Sequence, residues 1–132
     1  MVDSKRYQDW LQKAQQDLEA AKVILDSEME LYHIVTFHAQ QCVEKAYKAY
    51  LYFKGASSRS HDLAELNSKC RAFDQEFNEF FDSSTELDAY YIETRYPADF
   101  PLNISKEEAE KSIILAKETL EFIKEKIRET VA

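Results

Sequence analysis

Two parts of the sequence carry the side chains that a negatively charged ligand would need. Residues 43–61 hold four cations against one carboxylate and sum to +3, although the whole chain has a formal net charge of −8. Within this stretch Lys45 and Lys48 could bind a single anion or a short single strand. An ordinary solvated run of lysines fits the same pattern, so both interpretations stay open here.

Arg95 is the cation in the second part. It lies beside Tyr96 in a connection that contains Pro97 and Pro101, and two prolines four residues apart prevent a continuous helix. A guanidinium among phenols can bind a phosphate through two hydrogen bonds and can stack on a base. It can equally tie the connection to helix-end carbonyls or to a carboxylate.

Metal chemistry and covalent catalysis find little support in the residue pattern. Glu30 and His33 form one Glu-x-x-His, but a di-iron bundle needs two such motifs and two further glutamates. His38 and His61 have no glutamate three residues before them. We therefore predict no metal, no cofactor and no catalytic residue. General acid–base chemistry would rest on His61 alone, which could instead be a packing residue at the start of a helix.

The composition limits the fold. The chain has 132 residues but one glycine and two prolines, which excludes glycine-rich phosphate loops and makes a many-stranded β fold improbable. We expect an all-α fold in a single domain, residues 1–132. Cys42 and Cys70 form no metal or disulfide motif and are expected to be buried thiols. No run of about 18 apolar residues is present, so a cytoplasmic protein away from membranes is expected.

Apolar residues at helical spacing predict the helices of a bundle. They indicate a first helix over 5–27, a second over 31–54 that ends at Gly55, a short third from Leu63, and a fourth over 77–91 interrupted at 82–84. Ser105 and Glu108 form a capping box that begins the last helix. That helix carries an apolar row that we expect to pack inside its own bundle.

The second helix has two different faces. One is a row of mostly small residues that would let a neighbouring helix approach closely. The other presents Ile34, His38, Gln41, Lys45, Lys48 and Tyr52 at spacings of 4, 3, 4, 3 and 4. This face is either a solvent face with routine pairs, such as Glu44 with Lys48, or part of a site.

Three motifs in this order resemble the HEPN domain, the nucleotide-binding domain of higher eukaryotes and prokaryotes. They are A-Q-Q-x-x-E-K-A-x-K-A over residues 39–49, His61-Asp62-Leu63, and Arg95-Tyr96-Pro97. The resemblance implies an up-and-down bundle of four long helices with a short additional one. It also implies a stand-alone prokaryotic type that pairs with a minimal nucleotidyltransferase in a two-component, toxin–antitoxin-like system.

Other HEPN proteins are metal-independent ribonucleases with an arginine, four to six residues, and then a histidine, completed across a homodimer. No arginine of this chain has a histidine at that spacing. We therefore predict a non-catalytic homodimer that binds an ATP- or GTP-like nucleotide or a short RNA, and not duplex DNA. The predicted groove is lined by Lys45, Lys48, His61, Arg95 and Tyr96. A ribonuclease in which Arg95 and His61 meet through the fold, and a helical interaction module without a ligand, are the alternatives.

Overall fold

The computed structural model describes residues 6–95 and 103–131, without the side chains of residues 91–95. This part of the chain contains helices and no strand, which confirms the predicted all-α fold. The α-helices are α1 (Tyr7–Asp26), α2 (Tyr32–Phe53), α3 (Leu63–Arg71), α4 (Phe81–Arg95) and α5 (Lys106–Val131), and a 3₁₀ helix (Gln75–Phe80) precedes α4. Four of the helices are long and α3 is short, as the resemblance implied.

Helix α2 lies at the centre of the bundle. It packs against α1, α3, α4 and α5, and every residue from Val35 to Leu51 is buried or half-buried. The small residues Ala39, Cys42, Ala46 and Ala49 are buried, as predicted. The polar face of α2 packs against α1, where Asp17 contacts His38 and Lys45. Of the two interpretations of this face, that of an ordinary solvent face is therefore wrong.

Helix α5 closes the bundle against α2 and α1. Its predicted apolar row, Ala109, Ile113, Ala116, Leu120, Ile123 and Ile127, is buried. At its start the Ser105 hydroxyl accepts a hydrogen bond from the Glu108 amide at 3.0 Å, as a capping box requires. The row packs inside the chain's own bundle, as predicted.

The end of α2 also matches its prediction. Gly55 has φ of +78°, its amide bonds the Tyr52 carbonyl, and the Ala56 amide bonds the Leu51 carbonyl at 2.8 Å. This is the Schellman arrangement, in which a glycine adopts the left-handed conformation just after a helix. The turn directs the chain into the loop that carries His61.

The predicted interruption at residues 82–84 is wrong. The irregular segment lies earlier, in the 3₁₀ helix, where the Asp74 side chain accepts the Glu76 amide and Phe77 is buried in the core. Ser84 continues α4 because its hydroxyl is buried and donates back to the Phe80 carbonyl at 2.7 Å. A serine that bonds the preceding turn in this way is tolerated inside a helix.

Both cysteines are free and buried, as predicted. Burial raises the pKa of Cys42 to about 12 and also raises that of Cys70, which makes both thiols unreactive. Within the described residues, no helix is both long and apolar enough to cross a membrane.

Candidate anion-binding site

Glu44 is the centre of the candidate site. Its residue is only 3% exposed, and its Oε2 lies 3.0 Å from both the Lys48 Nζ and the His61 Nδ1. The other oxygen, Oε1, accepts a hydrogen bond from the Gln41 amide at 3.3 Å. A buried carboxylate needs such partners because burial removes its hydration.

Two consecutive glutamines join this carboxylate to the loop before α3. The Gln41 Nε2 donates to the Gln40 Oε1 at 2.8 Å, and the Gln40 Nε2 donates to the backbone carbonyl of His61 at 3.3 Å. Gln40 is fully buried. His61 is therefore held through its ring by Glu44 and through its backbone by Gln40.

Lys48 is enclosed, although the sequence prediction placed it in an open groove. It is 5% exposed, and its Nζ lies 5.7 Å from the centre of the Trp10 ring. Trp10 in turn stacks on Tyr52, with 5.7 Å between ring centres. A cation beside a carboxylate and an aromatic face is well compensated. Lys48 thus balances the charge of Glu44 inside the bundle and does not present an ammonium group to solvent.

Lys45 pairs with a different carboxylate. Its Nζ lies 2.5 Å from the Oδ2 of Asp17 on α1, whose Oδ1 is 2.9 Å from the His38 Nδ1. The Lys45 side chain is 25% exposed and that of Asp17 is 12% exposed. Each lysine of the predicted groove therefore has a carboxylate of its own, and together the two pairs are electrically neutral.

His61 is the predicted site residue that is most open among those described. Its side chain is 59% exposed although one ring nitrogen contacts the buried Glu44. His61 immediately precedes the N-cap of α3, Asp62, whose side chain accepts the amides of Ala64 and Glu65. The start of α3 therefore fixes where this ring lies.

A second carboxylate, from α4, also holds the start of α3. The Asp88 Oδ1 and Oδ2 accept the amides of Leu63 at 2.7 Å and Ala64 at 3.0 Å. Burial raises the pKa of Asp88 to about 6, whereas a hydrogen bond with Asp88 lowers the pKa of Asp62. The two carboxylates therefore hold the start of α3 together, since both accept the amide of Ala64.

Arg95 and Tyr96 cannot be related to this cluster. Arg95 is the last residue of α4, its side chain is outside the described part of the chain, and so is the whole of Tyr96. That Arg95 and Tyr96 line the anion-binding groove therefore stays a prediction. Among the described residues, no group of three or more His, Cys, Asp or Glu side chains could hold a metal ion.

The sequence prediction missed Glu44 and Asp17 as the two carboxylates of the cluster. The spacing of Glu44 and Lys48 indicates a helix-surface pair, yet Glu44 directly follows Val43 and is two residues before Ala46, both of which are buried. Apolar residues on both sides of Glu44 in the sequence are the signal that could have indicated its burial. Asp17 adjoins the buried Leu18 but carries no comparable signal, since its role depends on how α1 packs on α2.

Known proteins resemble this chain over nearly its whole length. A protein of Methanocaldococcus jannaschii named "Putative toxin MJ1304" is 29% identical in an alignment that covers 91% of this chain and 87% of that protein. The crystal structure of TT1696 from Thermus thermophilus superposes with a TM-score of 0.84 at 30% identity, covering 93% of this chain and 99% of the other.

A third similar protein is ST0689, whose crystal structure is described as that of an archaeal HEPN homologue. It superposes with a TM-score of 0.76 at 29% identity and covers 94% of this chain and 99% of its own. The family model of the HEPN domain matches residues 7–127. The helical bundle described above is therefore a HEPN domain, and the chain belongs to that family.

Proposed function

We propose that this HEPN domain binds a phosphate group of an ATP- or GTP-like nucleotide or of a short RNA at His61. The observation that supports the proposal is the contact between the buried Glu44 carboxylate and the exposed His61 ring, at 3.0 Å. Lys48 already neutralises Glu44. When His61 is protonated, the three residues therefore carry a net charge of +1, and the exposed member of the cluster is the imidazolium.

The fixed position of the ring favours binding. An imidazolium that is already oriented loses little side-chain freedom when it donates to a phosphate. Glu44 and Gln40 provide that orientation from inside the bundle, so they act as positioning residues. Lys48 supports them by removing the net charge that a buried carboxylate would otherwise have. Arg95 and Tyr96 are proposed to supply a second cation and a stacking surface.

Calorimetric titration with ATP, GTP and a short single-stranded RNA tests the proposal. We expect His61→Ala to weaken binding by about tenfold, because a hydrogen bond to a charged group is lost. His33→Ala, a histidine at the other end of α2, is the matched control and should leave binding unchanged. Equal affinities for wild type and His61→Ala would refute the proposed site.

Metal-independent ribonuclease activity is a second candidate function, and the same contact favours it. An Nδ1–H that donates to Glu44 leaves the lone pair of the His61 ring on Nε2, the form that a general base requires. Incubation with RNA in the presence of a metal chelator tests this function. Cleavage by wild type that is lost in His61→Ala and kept in His33→Ala would establish it, and intact RNA in the wild-type reaction would contradict it.

We also propose that the chain forms a homodimer and pairs with a minimal nucleotidyltransferase in a toxin–antitoxin-like system. The relative that is named as a toxin supports this setting. Light scattering at increasing concentration tests the dimer, and a monomer throughout would contradict it. Co-expression with the nucleotidyltransferase encoded nearest to this chain tests the partner. Relief of growth inhibition and co-purification are expected, and their joint absence would refute the pairing.

A further inference from the structure

Arg71, at the last residue of α3, is held in place by neutral groups. Its Nη1 donates to the Asn78 side-chain oxygen and its Nη2 donates to the Ser68 hydroxyl, both at 2.8 Å. The guanidinium carbon lies 5.0 Å from the centre of the Phe81 ring, within the range of a cation–π contact. No acidic side chain in the described part of the chain forms an ion pair with Arg71.

The positive charge of Arg71 is therefore uncompensated by its contacts. A guanidinium has five N–H donors, of which Asn78 and Ser68 take two. Three donors remain on a group that is already oriented by two hydrogen bonds and a ring. An arginine in this state is prepared for a planar, two-point contact with an anion.

Arg71 opens into a cleft of about 510 Å³ lined by Ser68, Arg71, Ala72, Gln75 and Asn78. The cleft is open to solvent, since Ser68, Ala72, Gln75 and Asn78 are exposed. The lining contains hydroxyl and amide groups and no carboxylate. Within the described residues the Gln75 side chain makes no hydrogen bond, so its amide can donate to a ligand. The nearest carboxylates along the chain, Asp74 and Glu76, both contact Lys126, at 3.0 and 2.9 Å.

We infer that this cleft is a second oxyanion site and that it takes the phosphate group of a nucleotide or of an RNA backbone. The Arg71 fork contacts two phosphate oxygens and the Gln75 amide contacts a third. A carboxylate has only two oxygens and would leave the Gln75 amide without a ligand. The site is separate from the one at His61, because α3 extends about 12 Å between Leu63 and Arg71, and it does not rest on the function proposed there.

NMR titration of the isotope-labelled full chain tests the inference, with inorganic phosphate, AMP and a short single-stranded RNA as probes at constant ionic strength. The signals to follow are the Arg71 Nε–H and the side-chain amides of Gln75 and Asn78. We expect saturable shifts of these signals with phosphate. Tighter binding of AMP would identify a free nucleotide as the source of the phosphate, and tighter binding of RNA alone would identify the backbone.

The variants make the test specific to the arginine. Arg71→Gln should weaken phosphate binding by at least about tenfold, and Arg71→Lys should not restore it because lysine lacks the fork. Arg128→Gln is the matched control, since Arg128 is exposed and already pairs with Glu125. His61→Ala should leave the shifts intact, which separates this site from the first. Absence of saturable shifts, or equal affinity of Arg71→Gln and wild type, would overturn the inference.

Discussion

Replacing Glu44 by glutamine should destabilise the fold far more than the same change in an exposed pair. The substitution keeps the size of the side chain and removes its charge. Lys48, which is 5% exposed, would then hold an ammonium charge inside the bundle without its counter-charge. At the observed 3.0 Å, and with an effective dielectric constant of about 20, the lost attraction is about 5.5 kcal/mol before any relaxation of the structure. Measured losses for half-broken buried pairs are about 3–5 kcal/mol, so we expect a loss in that range.

The chain contains a matched control. Glu65 and Lys69 have the same order and spacing on α3, with an N–O distance of 3.3 Å, but their side chains are 53% and 43% exposed. An exposed helical pair of this kind contributes about 0.3–0.5 kcal/mol. Glu65→Gln should therefore change the free energy of unfolding by about a tenth of the amount expected for Glu44→Gln.

Urea unfolding at fixed pH and salt provides the free energies. If Glu44→Gln alone leaves too little folded protein, the double variant Glu44→Gln/Lys48→Met still allows the comparison. Removing both charges of a buried pair is often close to neutral, so we expect the double variant to recover most of the stability. Similar losses for Glu44→Gln and Glu65→Gln, or a double variant that is as unstable as the two single changes added together, would refute the reasoning.

Three further changes probe the surroundings of the site. Tyr47→Phe removes a buried hydroxyl that lies 2.6 Å from the Ser84 hydroxyl. It should lower the free energy of unfolding in urea by about 1–3 kcal/mol, and an unchanged free energy would contradict a stabilising hydrogen bond between the two hydroxyls. In Gly55→Ala the added methyl group meets no atom within 4 Å, but the backbone keeps φ at +78°. The strain should lower the free energy of unfolding by about 1 kcal/mol, and unchanged stability would contradict this expectation. Burial raises the pKa of Asp88 to about 6 from the ordinary 3.8. Its contribution to stability is therefore present below pH 3.8 and is lost as the pH rises through 6. As the pH rises from about 4.5 to 7, Asp88→Asn should lose less stability than wild type. Parallel curves of unfolding free energy against pH for the two proteins would refute the raised pKa of Asp88.

The helices could be predicted because their signals are local. The apolar row of α5, the capping box at Ser105 and the glycine after α2 each act within a few residues of the chain. The position of the break before α4 was missed because it depends on Phe77 entering the core. No spacing in the sequence shows which of several phenylalanines will do so.

The site was predicted only in part, because its contacts join distant segments. The pairing of Glu44 with Lys48 is confirmed, whereas the binding role of His61 stays a prediction. The burial of that pair depends on α1 covering the polar face of α2. Asp17 of α1 forms an ion pair with Lys45, which is 28 residues away in the sequence. The support of α3 by Asp88 likewise spans 25 residues. Helical periodicity shows which residues share a face, but not which helix will cover it.

The histidine ring signals of the wild-type chain during titration with ATP test most directly whether His61 binds phosphate. The three histidines serve as controls for one another, since His38 already contacts Asp17 at 2.9 Å and His33 lies at the start of α2. We expect the ring signals of His61 to shift in a saturable way, with those of His33 and His38 changing little. Saturable binding of ATP that leaves the His61 ring signals unmoved would contradict the proposed site.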